Sequence, residues 1–523
     1  MATIIHNARI HTMGRQGTVE AALYDQGRFI AVGGVDEVRG AAPRGTREID
    51  LGGMTVIPGL TDSHVHFVMF SLGLSRVDLD NVPTLGEALA RIESAARLKP
   101  KGAWVIGGGF NANLWGGVLP SKDDLDRVCP DHPCAFWSKD YHSVWVNSRA
   151  LHASGIGADT PTPEGGRIDR RPDGTPTGIL GENATRLIER AIPKPTGDEI
   201  DAAVRQGIEY AHSRGLTGVH VMEGPDAFAS FQRLLSRGAL TLRVCMNIAR
   251  DNLEDAVNLG VMSGFGGDML KIGGVKAFVD GALGSQTAEM MEPYEGTCNR
   301  GIEVMTQEEI ERFVEEAAKA GLSTCIHAIG DRANRKVLDA FERLSHLWKN
   351  KGLRQRIEHA QLLHPADLPR FGRLGVIASV QPIHATSDRY VADRLWGTRA
   401  RYAYAFKSLL RSGARLAFGS DAPVETIDPM KGVYAAVTRK REDERESAPW
   451  YAEETLTVEE AVAGYTTGAA YASYSEDSLG SIEPGKFADF VVLSEDIFSS
   501  PPERILSARV MLTVVGGVAV YES

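Results

Sequence analysis

The chain has few cysteines, no CxxC pair, no long apolar run and no run of basic residues. Its five cysteines are scattered over 523 residues, which fits free thiols in a reducing cytoplasm better than a zinc ribbon or a disulfide framework. No apolar run approaches the roughly 20 residues that a membrane-spanning helix needs. The formal net charge is −11, so we expect no nucleic-acid partner, because nothing would neutralise its phosphates.

The composition is that of an ordinary globular protein, with 43% hydrophobic and 24% charged residues. Its length predicts two to four structural units, because a single hydrophobic core stops growing well below this size. Residues 2–10 have a strand-like pattern and lack the charged region and apolar core of a signal peptide. We therefore predict a cytoplasmic protein without a membrane segment.

The order of strand-like and helix-like runs predicts an α/β protein of three parts. Residues 1–57 and 480–523 carry short strand-like runs between glycine and polar turns, so we expect both ends to form one small β-sandwich domain. Strands and helices alternate over 58–70 and 191–479, which predicts a parallel sheet closed into a (β/α)8 TIM barrel. Residues 71–190 are too many for one crossover, so we predict an inserted α+β subdomain near the active site.

Two histidines follow the first predicted barrel strand. The apolar run 54–57 ends in Pro58 and Gly59, and His64 and His66 come next. Side chains two apart on a strand point to the same face, so the two imidazoles form half of a metal site. Such a pair taken alone is more often solvated or hydrogen-bonded, but catalytic groups collect at the carboxyl ends of barrel strands.

Four later strand-like runs also end in residues that bind metals. A single histidine at a strand end is commonly a core residue with its hydrogen bonds satisfied. Parallel strands, however, direct their carboxyl ends to one rim, so we expect the whole set to converge. The additional residues are Lys276, His327, His359 and Asp421.

The order HxH, Lys, His, His, Asp resembles the amidohydrolase superfamily. Residues 419–423, Gly-Ser-Asp-Ala-Pro, belong to the same resemblance, and residues 276–284 and 140–147 resemble the family 3 branch more specifically. Residues 480–489 resemble the return of the chain to the β-domain in many of these hydrolases. The resemblance covers nearly the whole chain and is much less specific for a substrate.

The resemblance implies a binuclear site for divalent ions, with zinc expected and iron or manganese as alternatives. His64, His66 and Asp421 would bind the more buried ion, and His327 and His359 the second.

Lys276 would bridge the two ions after carboxylation by CO₂, since an ammonium group cannot bind a cation. The alternative is a salt-bridged lysine beside a single ion.

The implied reaction is hydrolysis of a non-peptide C–N bond, most simply a linear or N-substituted amide. A metal ion lowers the pKa of bound water from about 15.7 toward about 7, and Asp421 would act as general base and then as general acid. Cyclic amides, carbamates and esters are alternative substrates, because the same attack suits their carbonyls. A non-catalytic barrel that binds a small ligand is the alternative of a different class.

Four residues are candidates for contact with a small-molecule substrate: Trp115, His142, Gln381 and His384. The first two lie in the inserted region, and the other two follow a barrel strand. A surface position or core packing of Trp115, and support of the metal ligands by Gln381 and His384, are the alternatives. A homodimer is the expected oligomer.

Some polar residues near the same strand ends are expected to have supporting roles. Asp280 and Asp331 would orient ligands, and Glu223 and His220 would make structural hydrogen bonds.

Overall fold

The computed structural model describes residues 2–139 and 142–523. The chain divides into two compact units, one of residues 1–71 with 200–523 and one of residues 72–199. Asp140 and Tyr141, from the sequence motif at 140–147, lie outside the described residues.

Eight parallel strands of the first unit form one sheet in which each strand lies beside the next in sequence. After the eighth strand, the backbone N–H of Asp421 donates to the carbonyl of His64 at 2.7 Å, and the N–H of His66 donates to Ala422 at 2.9 Å. These bonds join the end of the sheet to its beginning, and the (β/α)8 barrel is confirmed. The barrel strands are Leu60–Val65, Leu216–Val221, Arg243–Ala249, Leu270–Phe278, Ser323–Ala328, Arg356–His359, Ile377–Val380 and Arg415–Phe418.

Helices alternate with these strands, and their sequences explain their bounds. The helix Gln307–Lys319 begins after a capping box of Thr306 and Glu309 and buries Ile310, Phe313 and Val314 on one side. The other helices of this part are Phe67–Leu74, Gly197–Ser213, Pro225–Ser236, Leu253–Asn258, Asp331–Arg343, Ser345–Trp348, Leu368–Leu374, Pro382–Ser387, Arg389–Trp396, Phe406–Arg411, Pro429–Thr438, Val458–Tyr465 and Thr467–Ala472.

Both ends of the chain contribute to a β-rich domain of two sheets, as the sequence predicts. One sheet has the strand order Arg28–Gly33, Ala21–Asp25, Thr3–His6, Arg47–Asp50, and the helix Val35–Gly40 follows its edge strand in sequence. The second sheet has the order Val518–Glu522, Val510–Val515, Phe490–Leu493, Thr55–Pro58, Arg9–His11, Thr18–Val19. Side chains of both sheets share one hydrophobic core, so the domain needs both ends of the chain.

A buried ion pair joins this β-rich domain to the barrel. Arg243, at the start of the third barrel strand, donates from Nε and Nη2 to the two carboxylate oxygens of Asp489 at 2.6 and 2.9 Å. Both side chains are buried, and Asp489 also accepts the backbone N–H of Gly516 at 2.7 Å. The geometry is bidentate, which is the strong form of such a pair.

We expect Asp489→Ala to destabilise the protein by about 3–5 kcal/mol, because Arg243 would stay buried without a counter-charge. The measurement is the urea midpoint of unfolding followed by circular dichroism. Asp477→Ala, at an exposed position, is the matched control and should leave the midpoint unchanged. An unchanged midpoint for Asp489→Ala would show that the pair contributes nothing to the free energy of unfolding.

The unit of residues 72–199 contains both strands and helices. Its sheet has the order Gly166–Arg170, Pro176–Glu182, Ser143–Val146, Cys134–Ser138, Val105–Phe110, Val77–Asp78. Its helices within the described residues are Leu85–Arg97, Lys122–Val128, Ser148–Ala153 and Thr185–Glu189. None of the helices in the described ranges combines the length and apolar character that a bilayer crossing requires.

Candidate active site

The carboxyl ends of the barrel strands bring the predicted ligands together. Nε2 of His64 lies 3.5 Å from Oδ1 of Asp421, and Nε2 of His66 lies 3.3 Å from the same oxygen. The ring centroid of His359 lies 4.9 Å from that of His64 and 4.5 Å from that of His327. Residues from the first, fifth, sixth and eighth strand ends therefore form one cluster.

Asp62 connects the end of the first barrel strand, which carries His64, to the loop after the eighth strand, which carries Asp421. Its carboxylate accepts the backbone N–H groups of His64 at 3.0 Å and of Ser420 at 3.1 Å, and also the Ser420 hydroxyl at 2.5 Å. Asp421 follows at φ +59°, a left-handed conformation that costs a non-glycine residue energy. Asp62 thereby holds the turn that presents Asp421.

Hydrogen bonds from Nδ1, the ring nitrogen that points away from the cluster, fix the orientation of the His64 and His359 rings. Nδ1 of His64 donates to Glu358 at 2.6 Å, and Nδ1 of His359 donates to the Gln381 amide oxygen at 2.8 Å. Each bond places the proton on Nδ1 and leaves Nε2 as the electron-pair donor, as is typical of histidines that bind metals.

His327 is oriented in the opposite way. Its Nε2 donates to the carbonyl of Gly281 at 2.9 Å, so Nδ1 carries the free electron pair. Nδ1 is buried and has no hydrogen-bond partner within residues 2–139 and 142–523. We infer that His327 would bind a cation through Nδ1.

The electrostatics favour neutral His64 and His327 and a charged Asp421. Burial and the nearby Lys276 lower the pKa of His64 to about 4 and that of His327 to about 3. Burial alone would raise the pKa of Asp421, but the surrounding imidazoles, with His66 first, hold it well below its ordinary value. Neutral imidazole and carboxylate are the forms that bind divalent ions.

Lys276 is a buried amine in the same part of the barrel. It is 4% exposed, its Nζ has no hydrogen-bond partner in the described part of the chain, and burial lowers its pKa. Nζ lies 4.7 Å from the ring centroid of Phe278. An unpaired charge is costly in such a place, which favours a neutral Lys276 amine, and the unpartnered Nδ1 of His327 fits a divalent cation.

The other predicted contacts fall into two groups. Gln381 and His384 lie in the barrel cluster, where Gln381 supports His359. One ligand atom of His384 lies within 4.8 Å of those of His359 and Asp421.

Trp115 and His142 belong to the unit of residues 72–199. Trp115 stacks on Phe110 with ring centroids 5.9 Å apart and donates from Nε1 to Val82 at 3.0 Å. His142 is exposed, and its Nδ1 lies 3.1 Å from a Glu182 carboxylate oxygen. Contact of either residue with a substrate stays a prediction.

The residues expected to support the site make structural hydrogen bonds. Glu223 accepts the backbone N–H groups of Val68 and Met69 at 2.7 and 2.8 Å. His220 accepts from Arg356 at 3.0 Å, as the proton donor is the guanidinium. Asp280 accepts three backbone N–H groups, from Glu289, Ile329 and Gly330, and Asp331 accepts those of Met291 and Arg332.

Sequence reasoning missed Asp62 and the buried pair of Arg356 and Glu358. Nε of Arg356 lies 2.9 Å from Oε1 of Glu358, and the same guanidinium donates to the carbonyl of Ser63 at 2.7 Å. The available signal was the spacing of Arg356 and Glu358, because opposite charges two apart on a buried strand share one face. Through this pair, Glu358 is held at His64.

Comparison with known proteins identifies the family of the chain. A model of the amidohydrolase family matches residues 47–521. The chain is 37% identical over 510 residues to Protein LONG AFTER FAR-RED 3 of Arabidopsis thaliana, covering 95% of this chain and 87% of that protein. It is 31% identical over 540 residues to N-substituted formamide deformylase of Arthrobacter pascens, covering 99% and 98%.

A solved structure is similar as well. The crystal structure of an uncharacterized metal-dependent hydrolase from Pyrococcus furiosus superposes with a TM-score of 0.79 at 30% identity, covering 95% of this chain and all of that chain. The family match and the relatives span nearly the full sequence. The chain therefore belongs to the amidohydrolase family, in its family 3 branch, and is a hydrolase of carbon–nitrogen bonds.

Proposed function

We propose that this protein hydrolyses linear or N-substituted amides at a centre for two divalent ions. The observation that carries the proposal is the cluster of imidazoles around the Asp421 carboxylate, beside the buried Lys276, whose Nζ has no hydrogen-bond partner within residues 2–139 and 142–523. The name of the relative from Arthrobacter pascens supports an amide with a substituted nitrogen. Zinc suits these nitrogen and oxygen donors, and iron and manganese are the alternatives.

Six residues would hold the ions. His64, His66 and Asp421 would bind one ion, and His327 and His359 the other, with a carboxylated Lys276 between them. Burial lowers the pKa of Lys276 and so favours its neutral amine, which adds CO₂ and releases one proton to become a carbamate. Bound divalent ions would supply an acidified water and polarise the substrate carbonyl.

Asp421 carries the proton in this mechanism. Its carboxylate accepts the proton from the attacking water and then gives it to the leaving nitrogen, so that a neutral amine departs. Its low pKa keeps it ionised before the reaction. The Asp62 contacts hold the turn that presents this carboxylate, so the base stays in place through the cycle.

Cyclic amides, carbamates and esters are the alternative substrates, because the same groups would attack their carbonyls and the pocket shape decides among them. A non-catalytic barrel is disfavoured, since a scaffold has no need of this donor set. We also propose a cytoplasmic homodimer that acts on a small molecule.

The test is a substrate panel with metal-replete protein. We expect turnover of N-formyl and N-acyl amines that exceeds turnover of cyclic amides, carbamates and esters, together with stoichiometric bound metal. A chelator should remove both the metal and the activity, and added Zn²⁺ should restore them. Protein that holds no metal and is indifferent to the chelator would show that the proposal is wrong, and preference for a cyclic amide or an ester would favour the alternatives.

A further inference from the structure

His384 lies in the same cluster as His359 and Asp421. It is the third residue of the helix Pro382–Ser387, directly after the seventh barrel strand and Gln381. The side chain is 9% exposed. Its Nε2 is buried and has no hydrogen-bond partner among the residues that the structure describes. Buried ring nitrogens normally have a partner, so this one indicates a missing ligand.

The ring of His384 faces the same space as that of His359. The two ring planes differ by 5°, and their centroids lie 6.3 Å apart. Ligand atoms of His359, His384 and Asp421 all lie within 4.8 Å of one another, and the same is true of His64, His66 and Asp421. Asp421 is therefore common to two groups, each with two imidazoles.

The charge of Asp421 also requires a partner. Within residues 2–139 and 142–523, the groups within ion-pair distance of its carboxylate are the imidazoles of His64 and His66. Neither side chain carries the permanent positive charge of an arginine. A buried carboxylate is stable only when it is paired or coordinates a metal, and two imidazoles with one carboxylate are a common donor set for divalent ions.

We propose that His384 is a metal ligand, which binds the second divalent ion together with His359 and Asp421. The inference rests on the proposed function only in taking divalent ions as residents of the site. With this assignment, Asp421 would be a ligand of both ions. A residue that only contacts substrate has no need to bring its ring nitrogen this close to another ring nitrogen and a carboxylate.

The test is metal binding by His384→Ala and His384→Gln, read as metal per chain by mass spectrometry after dialysis against graded Zn²⁺. We expect two ions per chain in the wild type. In both variants the tighter ion should stay, and the affinity for the weaker ion should fall by on the order of 100-fold, the upper end of what loss of a supporting residue costs. The visible spectrum of the Co²⁺-loaded protein should change, and free imidazole should restore the second ion to His384→Ala.

The exposed His346→Ala is the matched control and should bind both ions as the wild type does. Thermal unfolding checks the fold of each variant. If His384→Ala does not fold, the metal binding of His384→Gln is the test of the proposal. Unchanged ion affinities and Co²⁺ spectrum in the variants, with a raised KM alone, would overturn the proposal and make His384 a substrate contact. A wild-type protein that binds no ion would overturn the proposed function itself, which is a different result.

Discussion

Asp421→Asn is expected to abolish turnover while the barrel stays folded. The amide cannot accept the proton of the attacking water, and loss of a positioned general base typically costs about 100- to 10,000-fold in rate. The amide oxygen remains a potential ligand, and the hydrogen bonds that hold the turn come from backbone groups and from Asp62. We therefore expect the variant to keep most of its metal.

The measurement is kcat on the best amide of the panel, beside metal content and the thermal midpoint. Asp159→Asn, at an exposed position, is the control for the same chemical change and should behave as the wild type. Full activity of Asp421→Asn would mean that another group carries the proton. Loss of all metal would show that Asp421 acts first as a ligand, and kcat could then not be assigned to proton transfer.

Lys276→Ala is expected to remove one metal equivalent per chain and most of the activity. The side chain is buried, and its Nζ has no hydrogen-bond partner among the described residues, so its removal leaves a space beside the histidines and takes away the proposed bridging carbamate. Short carboxylates such as acetate or propionate fit such a space and can replace the lost oxygens. We expect them to restore part of both the second ion and the activity.

Lys271→Ala is the matched control on the same strand. Lys271 lies five residues earlier, where its Nζ donates to the Ser475 hydroxyl at 2.7 Å, so its loss should leave the metal content unchanged. A second readout is the effect of bicarbonate on metal loading. Added bicarbonate should raise the metal content of the wild type and leave that of Lys276→Ala unchanged. Unchanged metal and activity in Lys276→Ala would contradict the bridging carbamate.

Much of the fold follows from local patterns. The helices Gly197–Ser213, Gln307–Lys319 and Asp331–Arg343 bury apolar residues that recur at helical spacing in the sequence. Periodicity and end caps determine such helices through neighbours in sequence, so they can be predicted without knowledge of the rest of the chain. The ends of long helices are less certain, because tertiary contacts decide where a helix stops.

The distances within the cluster could not be predicted in the same way. The rule that parallel strands end at one rim places His64, His327, His359 and Asp421 in the same neighbourhood. It does not say which ring nitrogen faces inward. His327 uses Nε2 for a backbone carbonyl while His64 uses Nδ1 for Glu358, and these choices depend on rotamers and loop conformations.

By itself, the sequence determined the barrel, the β-rich domain built from both ends of the chain, and the set of residues that meets at the strand ends. These features follow from hydrophobic periodicity and strand direction, which depend on residues close together in the sequence. Only the tertiary structure decided that His384 stands beside His359, that Asp62 holds the turn at Asp421 and that Arg243 pairs with Asp489. Asp62 is 358 positions from Ser420, and Arg243 is 246 positions from Asp489. The physical reason is that such contacts form only when the closed barrel brings these distant segments to bonding distance.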